Sequence, residues 1–204
     1  MNKYFCILLS IIMISSSVFA DTNSAKQDAV SSASKTITPI NQTNQSNSKV
    51  LIILATSTQG NTKIISDALQ QTLSADVISP EKASIEMLQN YQLIGFGSGI
   101  FDEKHHSSIL SFASNLNQCN HKKVFIFSTS GMAREKLGHN SDPHNALRDI
   151  LKTKGCDIIG EFNCVGLNKN SFFKFFGGMN KNRPNKEDIK MAISFAESLL
   201  PLYD

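Results

Sequence analysis

An unbroken apolar run, Val50-Leu51-Ile52-Ile53-Leu54-Ala55, ends abruptly in Thr56-Ser57-Thr58-Gln59-Gly60-Asn61-Thr62. An alternating pattern would leave one face of a strand in water, whereas a continuous run predicts a strand covered on both faces, as in a parallel sheet. Ile64, Ile65, Ala68, Leu69 and Leu73 follow at helical spacing, so strand, polar turn and helix succeed one another. The first turn of such a helix offers N–H groups and the positive end of its dipole to whatever the turn holds, with Gly60 where the backbone must come close. A phosphate could be held there by hydroxyls and backbone amides without a cationic side chain. The competing reading is an ordinary strand-to-helix turn capped by Ser or Thr. Two better-known phosphate loops are excluded: Gly60 is followed by neither Lys nor the second glycine of a P-loop, and no G-x-G-x-x-G is present.

From Lys49 onward, strand-like and helix-like stretches alternate. Strands are predicted at 75–79, 93–96, 124–127 and 157–162, and helices at 82–90, 107–116, 142–155 and 186–200. With the opening unit this makes five strands and five helices, an α/β doubly wound sheet with helices on both faces. Two further polar, glycine-bearing segments follow strands: Gly97-Ser98-Gly99-Ile100-Phe101 and Ser128-Thr129-Ser130-Gly131-Met132. Each alone also reads as a tight strand end.

Ser57-Thr58-Gln59-Gly60-Asn61-Thr62 resembles the S-x-T-G-N-T phosphate loop of the flavodoxin family, with Gln59 where that pattern usually has Thr. The resemblance continues through Gly97 to Phe101 with Lys104-His105-His106, through Phe127 to Gly131, through Gly160 to Cys164, and through Gly177 to Asn185. It covers nearly all of residues 49–200 and is similar to a small bacterial branch of flavodoxin-like proteins. It implies a five-stranded parallel sheet of order 2-1-3-4-5, with a crevice at the carboxyl ends of strands 1 and 3. It further implies noncovalent FMN: Thr56 to Thr62 on the phosphate, and the segments Gly97 to Phe101 and Ser128 to Met132 around the isoalloxazine. Phe101 and Met132 would cover the ring, and the glycines would let backbone groups reach its edge. The implied function is electron transfer between larger partners or to a small acceptor, the protein supplying position and electrostatics rather than acid–base groups. Two rival functions suit the same residues: an FMN-dependent NAD(P)H or quinone reductase, and a flavin-free binding module on the same fold.

The remaining features concern the ends and the surface. Residues 1–20 have a basic start at Lys3, an apolar run and a closing Val18-Phe19-Ala20, the pattern of a secretory signal peptide. Its core is short for a membrane span of about 20 residues, so export without a stable membrane span after cleavage is expected. Removing it leaves 19 basic and 17 acidic residues, too balanced to suggest nucleic-acid binding. Residues 21–48, rich in Ser, Thr, Asn and Gln, read as a disordered linker, and 49–204 as the single domain. Cys119, Cys156 and Cys164 make no zinc or redox motif and read as buried structural residues, with oxidation open to an exported chain. His105 and His106, adjacent at a helix start, are poor joint ligands and read as solvated, or as one approaching the flavin edge. Val165 to Lys186 interleaves Lys169, Lys174, Lys181 and Arg183 with Phe172, Phe173, Phe175 and Phe176. It reads either as a cover over the sheet end or as a docking surface for an acidic redox partner protein or an anionic membrane.

Overall fold

The computed structural model describes residues 49–132, 142–169 and 178–203. The proposed signal peptide and linker, and the segment holding Lys174 and the four phenylalanines, lie outside the described residues. Five parallel strands form the sheet: β1 (Val50–Ala55), β2 (Asp76–Ile78), β3 (Leu93–Phe101), β5 (Lys123–Ser130) and β6 (Asp157–Val165). Their spatial order is β2-β1-β3-β5-β6. This is the expected 2-1-3-4-5 arrangement once the two-residue β4 (Lys104–His105) is set aside, since β4 only folds back on the end of β3 as an antiparallel hairpin.

Among the described residues the α-helices are α1 (Asn61–Leu73), α2 (Ser107–Ser114), α3 (Asn145–Thr153) and α4 (Lys186–Tyr203). The helix expected at 82–90 is instead a 3-10 turn over Glu86–Asn90, its few apolar residues giving too narrow a face to seat a full helix. Alternate residues of the central strands feed two cores. Ile52, Leu54, Phe125 and Phe127 pack with α1 and α4, while Ile53, Phe96, Val124 and Ile126 pack with α2 and α3. Asn185 and Asp188 open α4 with a reciprocal capping box, each backbone N–H donating to the other's side chain at 2.7 and 3.1 Å. Buried Asp188 also takes both forks of the Arg183 guanidinium, so Arg183 belongs to this cap rather than standing as a loose surface charge.

Two expectations about the strands need correction. β3 and β5 run on through residues assigned to loops, so Gly97, Ser98 and Ser128 are interior sheet positions. Gly97 is glycine because the neighbouring strand needs the space: a Cβ there would lie 2.0 Å from Cζ of Phe127, and one at Gly95 would lie 2.3 Å from Cζ of Phe125. The cysteines also differ from free buried thiols. Cys119 and Cys156 form a disulfide, with their Cα atoms 4.9 Å apart. The connections before β5 and β6 lie side by side there, tied by the Cys119 N–H to the Lys154 carbonyl at 2.7 Å. Cys164 remains a buried thiol, and burial, with Asp188 nearby, pushes its pKa up to about 12. No described helix is long and apolar enough to cross a membrane.

Candidate functional site

The turn after β1 is closed by the Gly60 N–H donating to the Ser57 carbonyl at 3.1 Å. Gly60 then starts α1 in the left-handed region, φ 69°, where any other residue would be strained. Among the described residues no side chain caps the start of α1, in contrast to α2, where Nδ1 of His106 accepts from the Ser108 N–H. A Cβ built on Gly60 would meet nothing within 4 Å, so the space over the first turn of α1 is open.

Beside this turn lies a cleft of about 290 Å³ at the carboxyl edge of the sheet. Ser57, Thr58, Gln59 and Asn61 line it from the turn, Gly99, Ile100 and Phe101 from β3, and Thr129 and Ser130 from β5 with Gly131 just beyond its end. A second, more apolar cleft of about 260 Å³ adjoins it, lined by Ile100, Gly131, Met132 and Met179 among others. Ile100, Ser130, Gly131 and Asn168 are shared between the two. Phe101 and Met132 stand exposed at their margins. Among the described residues, no Lys or Arg lines either cleft. Lys63, on the first turn of α1, is paired on the surface with Asp67 at 2.7 Å.

Several residues named from sequence do not line the clefts. Thr56 is exposed but outside both linings, Gly60 shapes the turn without lining either cleft, and Gly97 is covered by Phe127. Thr62 is buried, its hydroxyl 2.7 Å from that of Thr129, so the side chain ties α1 to β5 beneath the cleft floor. Ser98 and Ser128 face the α2 and α3 side, each fully buried and bonded to a histidine. His105 is therefore not a solvated helix start: it is 2% exposed, because the β3–β4 hairpin turns it inward.

The sequence reading gave Val165 to Lys186 as a cover over the sheet end but did not name Leu167 and Asn168 as site residues. Leu167 and Asn168 line the first cleft, and Asn168 pairs its backbone with Met179 in an isolated antiparallel bridge. The Asn61 amide donates to the Leu167 carbonyl at 2.8 Å, and the Asn180 amide donates to the Gly131 carbonyl at 2.8 Å. The segment thus holds both the first turn and the end of β5. Its density of Asn and Gly between a strand and a helix was the available signal.

Behind the clefts lies a polar layer that was also not anticipated. His144 Nδ1 is 2.9 Å from Glu161 Oε2, and Arg148 grips both oxygens of Glu161 at 2.6 and 2.7 Å. Burial pushes the Glu161 carboxyl up, but hydrogen bonds from Arg148 and His144 outweigh it and hold the pKa well below the usual range. Ser128, His144 and Glu161 thus repeat the connectivity of a nucleophile triad. The hydroxyl is fully buried in β5, so no substrate can reach it and the arrangement is structural.

A doubly wound parallel sheet with an open, glycine-started helix after its first strand defines a flavodoxin-like α/β protein. A family model described as a flavodoxin domain matches residues 52–166, and the chain belongs to that family. It is 46% identical over 152 residues to an uncharacterized protein of Methanocaldococcus jannaschii, covering 74% of this chain and 98% of that one. Its fold is similar to that of oxidised flavodoxin 2 from Bacillus cereus, with a TM-score of 0.54 at 20% identity, covering 76% of this chain and all of that one. It is likewise similar to two-electron reduced Megasphaera elsdenii flavodoxin, with a TM-score of 0.51 at 18% identity, covering 72% and 98%.

Proposed function

We propose that the chain is an exported electron-transfer protein that binds FMN noncovalently. The observation that carries this reading is the continuity of the two clefts. A turn rich in hydroxyls and amides at an uncapped helix start runs directly into an apolar slot between Ile100 and Met132. That sequence of surfaces suits a phosphate joined to an apolar ring system. The residues that would hold FMN are Ser57, Thr58, Gln59, Asn61 and the first amides of α1 at the phosphate. Ile100, Phe101, Gly131 and Met132 would lie at the ring. FMN, when bound, supplies the electron chemistry, while these residues position it and keep water from the ring.

Membership of a flavodoxin-domain family supports this reading, as do flavodoxin neighbours described in oxidised and two-electron reduced forms. Export is supported by residues 1–20 together with the Cys119–Cys156 bond, since an oxidising compartment sustains disulfides. A redox partner of acidic character would dock near Val165 to Lys186, where Lys169 and Lys181 are exposed.

The deciding experiment is a visible spectrum of the purified mature protein, followed by fluorescence titration with FMN and riboflavin. The wild type should carry a flavin band and bind FMN more tightly than riboflavin; no binding of either would overturn the proposal. Mass spectrometry of the native protein should find Asp21 at the amino terminus, and an intact Met1 in a cytoplasmic fraction would remove the export claim.

A further inference from the structure

The two walls of the apolar cleft leave the sheet in the same way. β3 continues past Ser98 into Gly99, Ile100 and Phe101, and the returning hairpin places His105 back on Ser98, Nδ1 to hydroxyl 2.8 Å. β5 continues past Ser128 to its end at Ser130 and leads into Gly131 and Met132, and His144 bonds Ser128, Nε2 to hydroxyl 2.7 Å. Ser98 and Ser128 are register partners on adjacent strands and point to the same face. The two imidazoles meet there, with centroids 5.0 Å apart and planes tilted by 40°. Neither histidine lines either cleft.

This layer is costly. Both rings are buried, and Nε2 of His105 has no hydrogen-bond partner among the described residues. Two aliphatic side chains would fill similar space without that cost, but would not fix each return to its own serine. Asn163 extends the register, donating to the Ser128 hydroxyl at 2.7 Å.

We propose that His105 and His144 are positioning residues that act as a pair, setting the separation of the Ile100–Phe101 and Gly131–Met132 walls and so the fit of a planar ring between them. The proposal rests on the flavin reading above and concerns the ring end of the site only. It therefore predicts an effect shared by FMN and riboflavin, whereas a change at the phosphate turn affects FMN alone.

The test is titration of both flavins against the wild type, His105→Asn, His144→Gln and the double variant. The substitutions are chosen so that Asn can replace Nδ1 and Gln can replace Nε2, which retains the serine bonds and removes the ring contact. Each single variant should weaken FMN and riboflavin by the same factor, about tenfold, and change the shape of the bound flavin's absorption band. The double variant should be no worse than the worse single. Leu151→Ala, on the same face and away from the cleft, should lower stability while leaving the affinity of the folded protein unchanged. Should His144→Gln not fold, Ser128→Ala, which keeps both rings, should show the same shared loss. Wild-type affinity for both flavins in folded single variants, losses that multiply in the double variant, or a loss confined to FMN would each overturn the pairing. A wild type that binds neither flavin overturns the flavin reading itself.

Discussion

Thr58 tests the phosphate turn more cleanly than Thr62, because Thr58 lines the cleft while the Thr62 hydroxyl is bonded to Thr129. A hydrogen bond to a charged group is worth about 1.5–3 kcal/mol, so Thr58→Ala should weaken FMN by about tenfold or more and leave riboflavin nearly unchanged. Parallel fluorescence titrations check this. Thr62→Ala should instead lower stability, visible in denaturant unfolding, by leaving Thr129 without its partner. Gly97→Ala should be among the most damaging single changes, because its Cβ would fall inside the Phe127 ring, and overpacking costs about 1–3 kcal/mol. Adding Phe127→Leu should recover part of the lost melting temperature. At His105, burial first and then the neighbouring His144 push the pKa down to about 3, against a smaller opposing effect of Glu161. The unfolded chain therefore takes up a proton near pH 6.5 that the folded chain refuses until about pH 3, so stability falls as pH drops through that window. Unfolding midpoints measured between about pH 7 and about pH 5 should decline less in His105→Asn than in the wild type.

The regular elements that carry apolar runs were legible in the sequence. Val50 to Ala55 is a buried strand with those bounds, and the helical spacing of Ile65, Leu69 and Leu73 describes the buried face of α1. The ends of β3 and β5 were not legible, for a physical reason. Ser98 and Ser128 read as loop residues because an isolated buried hydroxyl is unfavourable, and only tertiary folding brings a histidine from 7 or 16 residues away to accept or donate. Gly97 misled similarly: glycine suggests a turn unless the Phe across the sheet is known to occupy its missing side chain. The 3-10 turn at Glu86–Asn90 shows the limit of periodicity over so few residues. At this scale the disulfide makes a clear prediction. It joins residues 37 apart, for which the chain-entropy estimate of stabilisation is about 4 kcal/mol. Cys119→Ser with Cys156→Ser should lower the unfolding midpoint, and reductant should do the same to the wild type while leaving the double variant unaffected.

The candidate site and the disulfide sit at opposite ends of one sheet. The clefts open at the carboxyl edges of β1, β3 and β5, while the Cys119–Cys156 bond ties the connections that enter β5 and β6. Lys169 and Lys181 are exposed, and if an acidic partner docks there as proposed, Lys169→Gln with Lys181→Gln should reduce the salt dependence of association. Stopped-flow electron transfer at two ionic strengths would measure this. That no Lys or Arg is among the described cleft linings bears on the proposed flavin phosphate as well. An anion held by amide dipoles and hydroxyls releases no counter-ions from paired side chains on binding, so its retention should vary little with salt. On the proposed reading, flavin occupancy would be the same in seawater-like and dilute surroundings, and only contacts with the proposed partner would register the change.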